Sequence, residues 1–596
     1  MRQSTLTLAL LVWISVYPFE HSIHPVSLDL DEENGCEYWV APPPSGNDNN
    51  SGSISSPWAT LVHASENVPD NHCTVWFNDG EYVGENRLHR RFSTPTFFIA
   101  IHPYRAVLKY NGAVVSISGG KNITLDGFVF SHTGPGADVL VVQVDRDDQN
   151  WAEWITLRNN IFHDSYNNDL LKIYNGARFV TVESNIFYNQ GVAEQHIDVN
   201  SVTDVAIQDN IFFNDFAGSG RINRNDTKHY IVIKDSNENS DGLEGSERVT
   251  VQRNIFLNWE GGDGETFVQV GNDGKPYYEA KDVWIKNNLF IGNSPNQIGA
   301  AFGVSGARDV WFANNTIVGD LPSLAYAFRI GIKASNPANQ NIFFYNNIWS
   351  DPTGTMGADL SGSANEFSDG NPSETENLIL DNNLYWNGIQ GIPSGDLVSP
   401  LIVDARRIVA DPLVTKDQSS IILPRWTGQS FLSGSKTIRQ EFIRLVEQCG
   451  KIPSISMAVG KADLAFAPSD DILNHPRTAT PDLGAYEYQP ILLGFSTLTS
   501  ISLGWSAPRE PDAASLMIAY SDGQTERTIT GTSPSVSFYT LNGLKPYTIY
   551  QITLMVLDLH GTTLAQSNTI TLMTTNLKTY LPLISDGGVL SNHDRC

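Results

Sequence analysis

Between residues 157 and 386 one short phrase is written eight times: Asn160-Ile161-Phe162, Asn185-Ile186-Phe187, Asn210-Ile211-Phe212, Asn254-Ile255-Phe256, Asn288-Leu289-Phe290, Asn315-Thr316-Ile317, Asn347-Ile348-Trp349 and Asn383-Leu384-Tyr385. The asparagines are spaced 25, 25, 44, 34, 27, 32 and 36 residues apart. A fixed minimum with variable excess describes a coil that repeats and carries insertions, so each unit buries its apolar face only against its neighbours. Within a unit, Ile155 and Leu157 alternate with Thr156 and Arg158, Ile161-Phe162 follows the Asn159-Asn160 break, and Leu171 and Ile173 alternate around Lys172. Three short period-two strands in 25 residues, without regularly spaced Asn-Gly or Asp-Gly hairpin turns, predict the three faces of a right-handed parallel coil. The marker asparagines are expected to hold the corner between two faces, where Asn tolerates left-handed backbone, and to bond to one another along the stack.

Length and composition agree. At 596 residues the chain exceeds the usual size of one core, and a low charged fraction (17%) with abundant Gly suits a turn-rich β protein. A formal charge of −27 excludes nucleic acid as a partner, since phosphate recognition needs clustered Lys and Arg. Arg2 followed by an apolar run from Leu6 to Tyr17 reads as a signal peptide over residues 1–22, giving a secreted or extracellular protein. No further segment is long and apolar enough to span a membrane, and the chain is read as a monomer. Cys36 and Cys73 each stand just before a strand (Tyr38-Trp39-Val40 and Thr74-Val75-Trp76-Phe77), which predicts a disulfide between matching ends of neighbouring strands. Cys449 and Cys596 stay unassigned.

The organisation resembles the right-handed parallel β-helix proteins of the pectate-lyase-like superfamily over residues 36–490. Tyr38 to Pro42 and Ser56-Pro57-Trp58 look like that family's N-terminal cap, and Pro481 to Glu487 is similar to its terminal coil motif. From 491 the pattern changes. Ile501, Leu503 and Trp505 alternate, and Leu544-x-Pro546-x-x-x-Tyr550 has the spacing of a tyrosine corner. Residues 491–575 therefore resemble a fibronectin type III domain, and 576–596 form a tail. The fold class is all-β: a parallel β-helix followed by a small β-sandwich.

Function on such a coil belongs to outward side chains of one face and to the loops beside it. Counting from each asparagine places Lys172, Asp198 and Gln269 in one outward column, with His196 two residues before Asp198 on the same face and Lys234 one coil on. The longest interval, between Asn210 and Asn254, holds the loop with Arg221, Arg224 and His229 and a second acidic loop, both expected to open on one side and wall a groove. Lys172, His196 and Lys234 are candidate bases for proton abstraction next to a uronate carboxylate, with Asp198, Arg221, Arg224, His229 and Gln269 holding a polysaccharide. Asp169 and Glu194 are candidate oxygen ligands for Ca²⁺. The expected activity is that of a polysaccharide lyase on an acidic glycan. Two alternatives stay open: a glycan-binding or surface protein without catalysis, and a glycoside hydrolase pairing Asp198 with another carboxylate. Neither the three-aspartate signature of polygalacturonases nor the arginine motif of pectate lyases is present, and Lys172–Asp198 also reads as a plain cross-strand ion pair.

Overall fold

The computed structural model describes residues 35–191, 194–221, 227–262, 264–319, 327–357, 368–393, 404–414, 420–489, 492–505, 513–567 and 569–575. The signal segment and the C-terminal tail lie outside these residues.

Three parallel sheets of 12, 12 and 10 strands wind around one apolar core. In chain order within a coil, sheet one holds Glu153–Arg158, sheet two Ile161–His163 and sheet three Leu171–Tyr174. Each strand pairs in parallel with its equivalent one coil away: Leu157 with Val182, Phe162 with Phe187, Ile173 with Val199. The period-two pattern sends one apolar set inward, so Leu171, Ile197, Ile231 and Val268 lie in register and buried. The phenylalanines of the recurring phrase stack inside, Phe162 on Phe187 at 4.6 Å and Phe187 on Phe212 at 5.0 Å between ring centroids.

The marker asparagines form the expected ladder, fully buried. The backbone N–H of Asn185 donates to Asn210 Oδ1 at 2.9 Å, and that of Asn210 to Asn254 Oδ1 at 3.0 Å. Each amide also donates back to a carbonyl of the preceding coil, as Asn210 Nδ2 does to Val182 O at 2.9 Å. The ladder ends on a carboxylate: Asp404 Oδ2 accepts from Asn383 N (3.0 Å) and Nδ2 (2.9 Å). One detail differs from the sequence expectation. The left-handed residue is the one before each marker, Asn159 (φ 51), Ser184 (φ 56), Asp209 (φ 58) and Arg253 (φ 51), because the marker itself must keep its N–H on the ladder.

Cys36 and Cys73 form the disulfide, with Cα atoms 4.5 Å apart, directly ahead of the Glu37–Thr74 register. A short helix, α1 (Leu61–Asn67), N-capped by Thr60, buries Leu61 and Ala64 at that end. Ser56, four residues before that cap, belongs to a turn bridging to Ser53. The coil is shorter than expected at the other end. Its last strand is Ile408–Val409, and residues 420–489 form no further strand. They carry a helix, α2 (Ile438–Cys449), whose Phe442, Leu445 and Val446 cover the outward apolar ladder of sheet two (Ile186, Ile211, Ile255, Leu289). The Pro481–Glu487 motif belongs to this cover: Gly484 N donates to Asn346 O, and Glu487 makes a buried ion pair with Arg477 at 3.0 Å.

The C-terminal unit is a sandwich of a three-stranded and a larger antiparallel sheet around Ile501, Leu503, Trp505 and Ile552. The tyrosine corner is formed, with Lys545 N donating to Tyr550 Oη at 3.0 Å. Among the described residues no helix is long and apolar enough to cross a membrane.

Asn210→Ala removes four buried side-chain hydrogen bonds at one rung. It is expected to cost about 2 to 4 kcal/mol in urea unfolding, since it leaves buried partners unpaired. Asn239→Ala, in an exposed loop, is expected to stay within about 0.5 kcal/mol.

Candidate functional site

On the outer side of sheet three, strand register places Ser116, Gln143, Lys172, Asp198, Val232 and Gln269 in one column. The next outward column holds Ser118, Asp145, Tyr174, Asn200 and Lys234. The column read from the sequence is therefore present for Lys172, Asp198 and Gln269. Its continuation through Gln143 was missed because the coil before Asn160 has no marker: Gly127 takes the left-handed corner (φ 82) and Phe128 the asparagine's place. The outward residue of Val142-Gln143-Val144 carried the only available signal.

The side chains are joined to one another. Gln143 Nε2 donates to Ser116 Oγ at 2.7 Å, and Tyr174 Oη donates to Gln143 Oε1 at 3.1 Å. Lys172 Nζ lies 2.7 Å from Asp198 Oδ2. Lys234 Nζ lies 3.3 Å from Asp273 Oδ1. Asp169 is fully buried beneath this pair, and its Oδ1 accepts from Gln195 N at 2.9 Å. With its amide nitrogen turned toward the carboxylates, Gln195 also donates to Asp169 Oδ1 at 3.2 Å and Glu194 Oε2 at 3.0 Å. Asp169 Oδ2 and Asp198 Oδ1 are buried without a hydrogen-bond partner.

Burial and then the Asp198 charge push the Asp169 carboxyl well above the usual carboxylate range, and burial also raises Glu194. Burial works to lower both lysines, but Asp198 and Asp169 around Lys172, and Asp198 and Asp273 around Lys234, outweigh it and hold both as ammonium ions. The two lysines are thus fixed cations, a poor state for accepting a proton.

Several sequence expectations change here. His196 faces inward, not into the groove. It is fully buried, its Nε2 bonds Asn214 Oδ1 at 3.0 Å, its ring stacks on Tyr230 at 4.3 Å, and burial drops its pKa to about 3. The reason is a break in alternation: Gln195 pairs with His229 and Ile197 with Ile231, so the skipped residue turns at the sheet edge and joins the core. Asp198 is buried (1% exposed), not an open surface carboxylate. Arg221 is a clamp, donating to Asp164 Oδ1 (3.1 Å), Asn189 O (2.8 Å) and Ser165 O (3.0 Å) while its guanidinium packs 4.1 Å from the Tyr166 ring. His229 is buried and bonded to Thr266 O at 3.1 Å, and burial lowers it to about 3. The loops of the long interval do not share a side. One enters strand His229–Lys234 and the other leaves it, so they border opposite edges of the floor. Arg224 lies outside the described residues.

Among the described residues no three of His, Cys, Asp and Glu are grouped to hold a metal. The Lys172 ammonium already occupies the Asp198 carboxylate beside Asp169 and Glu194.

No protein-family model matches the chain, and no curated protein matches it. Solved structures do. PfbA, a surface adhesin of Streptococcus pneumoniae, is 13% identical over 55% of this chain and 85% of its own, with a TM-score of 0.35. The A-module of the Azotobacter vinelandii mannuronan C-5 epimerase is 16% identical over 59% of this chain and 93% of its own, with a TM-score of 0.38. The FN5 domain of Drosophila Lar is 20% identical over 15% of this chain and 95% of its own, with a TM-score of 0.13. At these values the description of the fold rests on the strand registers themselves.

Two outcomes are expected. Lys172→Met strands the buried Asp198 carboxylate and costs about 3 kcal/mol, while adding Asp198→Leu recovers most of it; a double-mutant cycle in urea reads this. The second concerns Asp164, which Arg221 and His163 grip. Burial raises its pKa, but the bond and charge of His163 and the charge of Arg221 prevail and hold it at about 2. The folded-state value lies below the unfolded one of about 3.9. That stability is therefore present above about pH 4 and lost as pH falls toward 2. Asp164→Asn is expected to flatten the acid limb of a thermal-stability profile in that window.

Proposed function

We propose that the protein is a secreted, carbohydrate-active β-helix protein whose sheet-three groove takes a polysaccharide, acting as a lyase on an acidic glycan. The observation that carries this reading is the charge cluster of Asp169, Lys172, Asp198, Glu194 and Lys234. Sheet one also carries outward ion pairs, such as Arg158 with Asp126, but this cluster buries two carboxylate oxygens without hydrogen-bond partners. Such perturbed groups concentrate at functional sites. In this reading the ammonium groups of Lys172 and Lys234 face the uronate carboxylate and acidify the proton α to it. The carboxylate of Glu194, made more basic by burial, takes that proton as a C=C bond forms and the C–O bond breaks, its electron pair leaving with the sugar oxygen, which takes a proton from water.

A second reading, glycan binding without catalysis, is favoured by one observation: both lysines are already neutralised by Asp198 and Asp273.

Incubation with polygalacturonate, alginate and hyaluronan, in calcium and in EDTA, separates the readings by the ultraviolet absorbance of unsaturated products. At least one polymer is expected to yield product equally in both buffers, with Glu194→Gln slowing the reaction about a hundredfold or more. New reducing ends without ultraviolet absorbance indicate a hydrolase, and retained binding with no product leaves the binding module.

A further inference from the structure

Away from the groove, the cover of residues 420–489 stops short of the first coils of sheet two and leaves a cleft of about 420 Å³, within the usual size of small-ligand sites. Its floor is Val107 and Val129, adjacent outward residues of neighbouring strands. Farther along the sheet, equivalent positions such as Ile161 and Ile186 are fully buried with the cover's apolar cluster.

The walls are aromatic and fixed. Trp426 stands on a small antiparallel bridge to Phe431 and packs edge-on to Tyr104 with ring centroids 5.1 Å apart. Tyr104 in turn accepts the Ile438 N–H at the start of α2. Opposite, His163 and Tyr188 stack at 5.1 Å with rings 7° from parallel. Asp79 and Arg105 stand at the rim, 3.8 Å from each other.

Two polar groups of the lining have no hydrogen-bond partner among the described residues. Tyr188 is 97% buried by its 3% exposure, lines the cleft, and its hydroxyl bonds no described residue. His163 Nδ1 lies 2.7 Å from Asp164 Oδ2. An ionised carboxylate only accepts, so Nδ1 is the donor, and Nε2 makes no hydrogen bond among the described residues. A buried phenol hydroxyl and an oriented imidazole nitrogen, set among ring faces over an aliphatic floor, ask for a ligand with an apolar face and hydroxyls around its edge.

We infer that this cleft is a second carbohydrate site, holding one or two sugar rings against Trp426 and Tyr188 on a face separate from the sheet-three groove. The sugar's C–H face lies on the aromatic and valine surfaces. Its hydroxyls bond Tyr188 Oη and His163 Nε2, with Arg105 and Asp79 in reach at the rim. The inference takes its ligand class from the carbohydrate reading of the chain but needs no catalysis in the groove.

Saturation-transfer NMR on the full chain, with cellobiose, mannobiose and digalacturonate each as probe, tests it. At least one disaccharide is expected to bind, with Tyr188→Phe weakening it about tenfold, the loss of one hydrogen bond. Trp426→Ala is expected to abolish binding, whereas Asn239→Ala, in an exposed loop, is expected to leave it unchanged. Tyr188→Phe removes one oxygen that bonds no described residue and keeps the ring, so its melting temperature is expected to match the parent's and the test survives if Trp426→Ala fails to fold. The inference is overturned if no disaccharide binds or if binding ignores both cleft variants. Binding lost in Lys172→Ala alone assigns the signal to the groove instead and overturns the second site while sparing the first.

Discussion

The structure depends on a chain of amide hydrogen bonds buried at one corner of the coil. A parallel coil needs every turn to stop and restart a strand in the same place, and each restart exposes backbone donors that water cannot reach. Asn is suited to that place because one side chain both accepts from the coil before it and donates back to it. Asn210 does all of this inside the protein, between Asn185, Val182 and Asn254. Once the corner is fixed, the strands on either side inherit their register, and with it which side chains face in and which face out.

That register explains where charge can be placed. Outward positions of sheet three tolerate ions in neighbouring coils because strand spacing, about 4.8 Å, brings a lysine and a carboxylate into direct contact. Lys172 and Asp198 meet in this way. Burial of Asp198 and Asp169 then strengthens the pair and makes each unpartnered oxygen expensive. The same logic runs in reverse on sheet two, where the cover makes an apolar outer face affordable and its early end leaves the cleft.

The repeat was legible in the sequence because strand alternation and the asparagine rung are both local patterns. They gave the core ladder, the Lys172–Asp198–Gln269 column, the Cys36–Cys73 pairing and the tyrosine corner. What was not legible depended on breaks in alternation or on contacts remote in sequence. His196 obeyed period two on paper, yet one skipped pairing at the sheet edge turned it inward. Arg221 looked free until Asp164 and Ser165, more than fifty residues earlier, were brought beneath it. The cover hid its role because its motif, Pro481 to Glu487, resembles one more coil. The cleft joins Trp426 of the cover to Tyr188 and Val107 on the coils, more than two hundred residues earlier in the chain.

The ladder's last member draws a further consequence. Every asparagine passes the pattern on because its side chain offers both an acceptor and a donor. Asp404 offers only acceptors, taking bonds from Asn382, Asn383 and Tyr385 and returning none. The stack therefore has a direction and a terminus written in a single functional group. A carboxylate has no N–H with which to recruit another rung, so the number of coils is limited by chemistry at that corner as much as by the length of the chain.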